Sequence, residues 1–416
     1  MRLALPTGTL AAFRQRDFAI FWSGALISNI GSWLQNLTVP YVVYAMTGSA
    51  LWVGVAAAAQ FLPVFAAAPL GGHLADTRER RSLLVILQSC MGLSAIGLWL
   101  TWTLGVRSVG VTLGLVALAG LTWGLTLPTW QAFVNDLVPR DCLVSAVSLN
   151  SLQFNAARSI GPAIAGLVIA TLGPSWAFGL NAMSFGCVIL ALTLVRTRSP
   201  RNPGAAASFI RGFGEALRYV SRQPAITAVL LLVSMVGFLS TPVFSFTVVF
   251  AESVYRVGPF QLGLMNAALG IGAVLAVPLI MRAKARGGMS GVMRAGMAAL
   301  GVGAVGFGLA PGLATGIVCL VAVGLGFLAA VSSGNTAIQL IVDSPLRGRV
   351  MAIRVMAFMA AAPLGALVEG WIADRIGPRQ TMVMTGSLML AVVLWLLTRR
   401  GAGVLRRVDG TANAAA

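Results

Sequence analysis

The chain has 416 residues, of which 58% are hydrophobic and 10% charged, with a mean hydropathy of +0.88. Soluble domains carry about 25% charged residues, so this composition excludes a water-soluble globular enzyme. The 29 basic and 11 acidic residues give a net charge of +18. The basic ones fill short gaps between apolar runs rather than covering one hydrophilic face, which argues against a nucleic-acid partner.

An apolar run of about 20 residues is long enough to cross a bilayer as a helix. In chain order such runs fall at 18–46, 51–72, 82–104, 109–134, 143–172 and 175–195, and then at 225–251, 258–281, 291–309, 313–340, 350–373 and 381–398. These predict an all-α integral membrane protein with twelve transmembrane helices. The basic cluster at 14–17 precedes the first run without a small-residue cleavage site, so no removable signal peptide is expected. Cys90, Cys142, Cys187 and Cys319 lie far apart, without metal-ligand or disulfide spacing. No metal and no cofactor are expected.

Orientation follows from the basic residues. Twenty-four of the 29 lie in one alternating set of gaps, four in the other set, and Arg158 falls inside a run. The basic-rich gaps mark the cytoplasmic side. Both termini are therefore expected in the cytoplasm of a bacterial inner-membrane protein, and the span count is expected to be even.

The two halves repeat. Gly54 and Pro69 correspond to Gly263 and Pro278, and the pair Gly173-Pro174 corresponds to Gly377-Pro378. Between the halves, Phe209, Phe213, Leu217 and Val220 fall on one side of a helical pattern, with Arg211, Glu215, Arg218 and Arg222 on another. A helix at the headgroups, or a plain connector, would join two six-helix bundles. The expected organisation is 1–196 for the first bundle, 197–224 for the linker, 225–398 for the second bundle and 399–416 for a cytoplasmic tail. Two such bundles around a midplane site are the plan of a secondary transporter.

Residues 72–81 read Gly-His-Leu-Ala-Asp-Thr-Arg-Glu-Arg-Arg. Small residues let the loop turn close to the helix end, and an acid followed by clustered arginines can exchange ion pairs there. The segment resembles the signature loop of the major facilitator superfamily at Gly72, Leu74, Ala75, Asp76, Arg80 and Arg81. It departs from that pattern at Thr77 and Glu79, and Arg78 adds a further cation. The resemblance implies a gating role, with Asp76 pairing Arg80, and the departures at Thr77 and Glu79 imply a loosened ion-pair geometry.

Farther along, Gly161, Pro162 and Gly166 look like the Gly-Pro-x-x-x-Gly core that marks antiporters of that superfamily. They equally suit a packing kink. Together with residues 13–18 and 60–63, these segments are similar to a bacterial branch of siderophore exporters and macrolide efflux proteins. The resemblance implies the two-bundle major facilitator fold and export of a drug-like or siderophore-like molecule by proton antiport, in a monomer that carries no enzyme activity. Import or facilitated passage of a small solute by the same fold is the alternative.

Single residues then stand out. Arg158 lies about 24 Å along its helix from Cys142, near mid-bilayer, where a charge is a functional candidate. Asn29, Ser32, Trp33 and Asn36, with Asn155, either line a cavity or form a packing seam. Among the acids, Asp136 and Glu369 border the spans and join Arg158 as candidates for ion coupling. Many proton-coupled relatives carry an acid in the first helix, and this chain does not.

Overall fold

The computed structural model describes residues 10–199, 206–285, 289–342, 344–398, 401–403 and 408–409. Thirteen α-helices occur among them, and no strand. They are α1 (Arg16–Thr47), α2 (Ala50–Thr77), α3 (Arg80–Thr103), α4 (Val109–Asp136), α5 (Leu143–Leu172), α6 (Pro174–Leu194), α7 (Ala206–Arg222), α8 (Pro224–Val249), α9 (Pro259–Ala285), α10 (Met289–Leu309), α11 (Leu313–Ile341), α12 (Ser344–Ile376) and α13 (Pro378–Leu397). By length and composition, eleven segments, built on α2–α6 and α8–α13, are apolar enough to cross a membrane. The twelfth, α1, is long enough at 32 residues. Its hydropathy is lowered by Ser28, Asn29, Ser32, Gln35 and Asn36, which include the cavity candidates Asn29, Ser32 and Asn36.

The chain divides into two compact units. One comprises Met1–Met46 and Ala59–Ala207, the other Thr47–Ala58 and Ser208–Ala416. The division runs through α2, whose first turns cluster with the second unit.

In the first unit, Phe18, Phe21, Leu84, Phe133 and Phe185 form a buried core. The Phe21 ring sits 5.3 Å from that of Phe133 in an edge-to-face arrangement. Gly120 and Gly124 let α4 lie against α2, because a Cβ at either would meet the carbonyl oxygen of Gln60 at 2.2 Å or of Val64 at 2.6 Å. The second unit repeats that crossing between α9 and α11, where a Cβ on Gly324 would meet the Leu269 carbonyl at 2.0 Å. Its core is built from Val229, Val233, Ile338 and Val350 on one side and Leu232, Met297, Phe327 and Met389 on the other. Leu93, Met183, Leu231 and Val318 are left exposed, as side chains that face lipid are.

The duplication is visible in the backbone. Gly173 (φ +88°) and Gly377 (φ +92°) both cap the helix that follows, and each precedes a proline in its first turn. A positive φ is glycine's region, and proline suits the first helical turn because it lacks an N–H that would have no partner there. Not every small-residue pair in the sequence marks a contact. A Cβ on Gly114 would meet nothing within 4 Å, and one on Gly110 only the Ser108 hydroxyl of its own N-cap at 4.0 Å.

The linker helix α7 packs differently from the pattern read in the sequence. Ala216 and Val220 enter the core of the second unit, whereas Leu217 is 52% exposed. Glu215 accepts a hydrogen bond from Arg349 at 3.2 Å. The side chains of Phe209, Phe213 and Arg211 lie outside the described residues.

Candidate functional site

The α2–α3 loop is organised by arginines. The Arg80 guanidinium donates through one nitrogen to both carboxylate oxygens of Asp136, at 2.9 and 2.8 Å, and its Nε donates to the Ala75 carbonyl at 3.0 Å. Asp76, the partner implied by the loop resemblance, stands 4.0 Å away. Arg81 donates to the carbonyls of Leu192 and Thr193 at 2.7 and 2.8 Å, covering the free acceptors at the end of α6. Arg78 is exposed, Leu74 is half-buried, and Gly72 has open space around it.

Glu79 replaces the glycine of the family loop and caps α3. Its carboxylate accepts from the backbone N–H groups of Arg81 and Ser82, at 3.2 and 2.7 Å. Partial burial pushes this carboxyl up, but hydrogen bonds from Ser82 and from the backbones of Ser82, Arg81 and Ser199 outweigh it, so the group is held below its usual range. The departure at position 79 therefore anchors the loop, where the sequence pattern alone implies loosening.

A second cluster joins α1 and α5. A Cβ on Gly161 would stand 2.5 Å from that of Trp33 and 3.1 Å from the Ile30 carbonyl. The missing side chain thus lets the two helices touch. Pro162 and Gly166 are buried beside it. One turn away, the Arg158 guanidinium lies 5.6 Å from the centre of the Trp33 ring. Phe154, four residues before Arg158 on the same face of α5, meets Trp33 edge-on at 5.7 Å. A cation beside two aromatic rings suits a ligand that carries aromatic and acidic groups, since the rings stack while the guanidinium pairs. The spacing of Phe154 and Arg158 is readable from sequence, but the approach of Trp33 depends on the tertiary contact at Gly161.

The remaining polar face of α1 is engaged within the first unit. Asn36 accepts a hydrogen bond from Gln60 at 2.6 Å, and Gln35 accepts one from Asn181 at 2.7 Å. Ser32 donates to the Ser28 carbonyl at 2.9 Å, and Asn29 is half-buried. Asn155 is exposed and donates to Ser151 of its own helix at 2.8 Å. Asn181 is 1% exposed and does not stand out in the sequence, because a lone asparagine in an apolar run has no pattern.

Of the coupling candidates, Asp136 and Arg158 belong to the first unit and Glu369 to the second. Asp136 ends α4 and is occupied by Arg80. Glu369 lies on α12 and is 2% exposed, the one buried side chain of a charged type among the described residues. No group of His, Cys, Asp and Glu among the described residues could hold a metal.

The model of a family described as transmembrane secretion effector matches residues 7–408. The multidrug efflux pump Tap of Mycolicibacterium fortuitum is 28% identical over 403 residues, spanning 92% of this chain and 95% of that protein. The enterobactin exporter EntS of Citrobacter koseri is 26% identical over 404 residues, covering 94% and 92% of the two chains. The staphyloferrin A transporter of Staphylococcus aureus is 23% identical over 392 residues, covering 91% and 96%. Among solved structures, an inward-facing, unoccupied bacterial homologue of the human lysosomal transporter Spinster superposes with a TM-score of 0.75 at 14% identity, over 97% of this chain and 98% of that one. That likeness establishes the fold alone.

Proposed function

The chain belongs to the transmembrane secretion effector family of the major facilitator superfamily, and from that membership we propose that it exports a small aromatic, acid-bearing molecule of the drug or siderophore type by proton antiport. As a multi-pass transporter of this superfamily it carries small molecules through a lipid membrane and is not an enzyme. The finer reading places it in a bacterial inner membrane as a monomer, with both termini in the cytoplasm, working by alternating access.

The observation that carries the reading is the Arg158–Trp33–Phe154 cluster beside Gly161. A guanidinium within a membrane helix is a functional candidate, and here it lies 5.6 Å from the centre of an aromatic ring. Asn29, Ser32 and Asn155 on the same two helices supply further polar groups for a ligand. The relatives' names, as efflux pump and siderophore exporters, supply the direction. Asp136, Glu369 and Arg158 are the groups assigned to coupling, and Asp76, Arg80 and Arg81 to gating.

The test is accumulation of fluorescent efflux substrates in cells that express the chain. Lower accumulation than in control cells is expected, reversed by a protonophore. Equal accumulation with and without the protein overturns export, faster uptake identifies an importer, and insensitivity to the protonophore overturns the proton as driving ion.

A further inference from the structure

On α12 the run from Ala366 to Asp374 meets the first turns of α2, both within the second unit. The contact is close. A Cβ on Gly54 would stand 2.3 Å from the Ala366 carbonyl oxygen, and one on Gly370 would stand 2.7 Å from the Ala50 carbonyl oxygen. The end of this seam is fastened by Asp374, whose carboxylate accepts the backbone N–H groups of Ala50 at 2.7 Å and Leu51 at 3.2 Å, and the Ser49 hydroxyl. Two of the free N–H groups in the first turn of α2 are thus satisfied by an acid from another helix.

One residue before Gly370 stands Glu369, 2% exposed, with both carboxylate oxygens buried and lacking a hydrogen-bond partner. The Thr385 hydroxyl of α13, also buried, is the one polar group among the described residues placed to donate to it. Among the described residues of the second unit, no cation is placed to balance it. The helices α8 and α11 and the 47–58 segment contain no acidic or basic side chain, Cys319 being their one thiol. On α13 the single arginine, Arg379, donates to the carbonyls of Gly308 and Ala310 at 3.1 and 2.8 Å. On α12 itself Arg375 stacks over Trp371 at 3.7 Å, Asp374 is held by α2, and Arg354 lies about 22 Å back along the helix. A carboxylate ion left without a partner in such a place is strongly disfavoured.

We propose that Glu369 is a proton-carrying carboxyl, and that the seating of α2 on α12 decides whether it holds its proton. With Gly54 and Gly370 in contact across the seam, the carboxyl is dry and neutral. When α2 lifts from α12, water reaches the group, the proton leaves to that water, and the carboxylate ion is stabilised by hydration. Seating α2 again requires the proton to return. The inference rests on the antiport reading for its place in transport, but the coupling of protonation to the seam stands on the geometry of α2, α12 and Glu369.

Infrared pH-difference spectra of the full-length protein in lipid nanodiscs test it. At neutral pH the wild type is expected to show the carbonyl stretch of a buried protonated carboxylic acid. Glu369→Gln should lose that band, and Glu369→Asp should retain it at a shifted frequency. A spectrum unchanged by Glu369→Gln overturns the proposal. Hydrogen–deuterium exchange, corrected for the intrinsic pH dependence of amides, supplies the second arm. Exchange in residues 47–58 and 366–376 should rise with pH in the wild type and stay flat in Glu369→Gln, and an equal rise in both proteins overturns the link to the seam. If both arms come out as expected while transport ignores a proton gradient, the antiport reading fails and the coupled protonation stands.

Discussion

Arg80 grips Asp136 with both carboxylate oxygens within 2.9 Å, although Asp76 sits four residues before Arg80 and 4.0 Å from it. Both partners of the short pair are 16% exposed. Removing either strands a partly buried charge on the other, which costs more than the pair itself contributes. Arg80→Gln and Asp136→Asn should each lower the unfolding temperature, and the double variant should be less unstable than the sum of the two. A double-mutant cycle is expected to give a coupling energy of about 1–3 kcal/mol. Asp76→Asn should show coupling to Arg80 of only about 0–1 kcal/mol, as for an exposed pair. A larger coupling for Asp76 than for Asp136 would reverse this ranking.

Glu79 provides the pH-dependent test. Its carboxyl is held below its ordinary value in the folded chain, so the unfolded chain binds the proton more readily. The cap's contribution is therefore complete above the usual glutamate range and fades as pH falls through the lowered folded value. Glu79→Ala should cost about 0.5–2 kcal/mol at neutral pH, the worth of a helix cap. That deficit should shrink as the medium is acidified past the carboxylate range, measured by thermal unfolding in detergent. A deficit independent of pH would mean that the capping charge is not its source.

Gly161 should tolerate substitution far less than Gly72. A Cβ at position 161 collides with the Trp33 Cβ at 2.5 Å, whereas one at position 72 meets nothing within 4 Å. Gly161→Ala must push α5 from α1 or shift Trp33, a change of the overpacking kind that costs about 1–3 kcal/mol. Gly72→Ala is expected to be neutral within about 0.5 kcal/mol. Melting temperatures of the two purified variants decide between a packing requirement at Gly161 and a motif residue with no steric role.

The spans are legible in the sequence because a bilayer demands long apolar runs, and even the polar deficit of α1 is visible as Ser28, Asn29, Ser32, Gln35 and Asn36. The half-repeat is legible through Gly173-Pro174 and Gly377-Pro378, since a positive φ followed by a first-turn proline constrains residue type. The choice of partners is not legible. Arg80 has an acid four residues before it and takes one 56 residues after it, because the end of α4 brings Asp136 within reach. The same holds for Asp374, which reads as one more acid at a helix end until the fold sets it against Ser49 and Ala50. Buried singletons such as Asn181 and Gln153 belong to no periodic pattern, and only packing reveals them.

Arg158 is the position where chemistry and packing separate most cleanly. Its guanidinium lies 5.6 Å from the centre of the Trp33 ring, an interaction worth about 0.5–2 kcal/mol. A structural role alone would make loss of the charge lower the amount of folded, membrane-inserted protein rather than the efflux per molecule. A ligand-binding role makes the charge dominant. Arg158→Ala is therefore expected to abolish most efflux while leaving the protein expressed and folded. Arg158→Lys should restore part of it, because a lysine keeps the charge but loses the planar fork that pairs with an acid. Trp33→Phe should retain most efflux, since the stacking surface survives. Efflux rates normalised to the amount of membrane-inserted protein provide the measurement. Full efflux by Arg158→Ala would remove the residue from the transport pathway and leave it a packing role between α1 and α5.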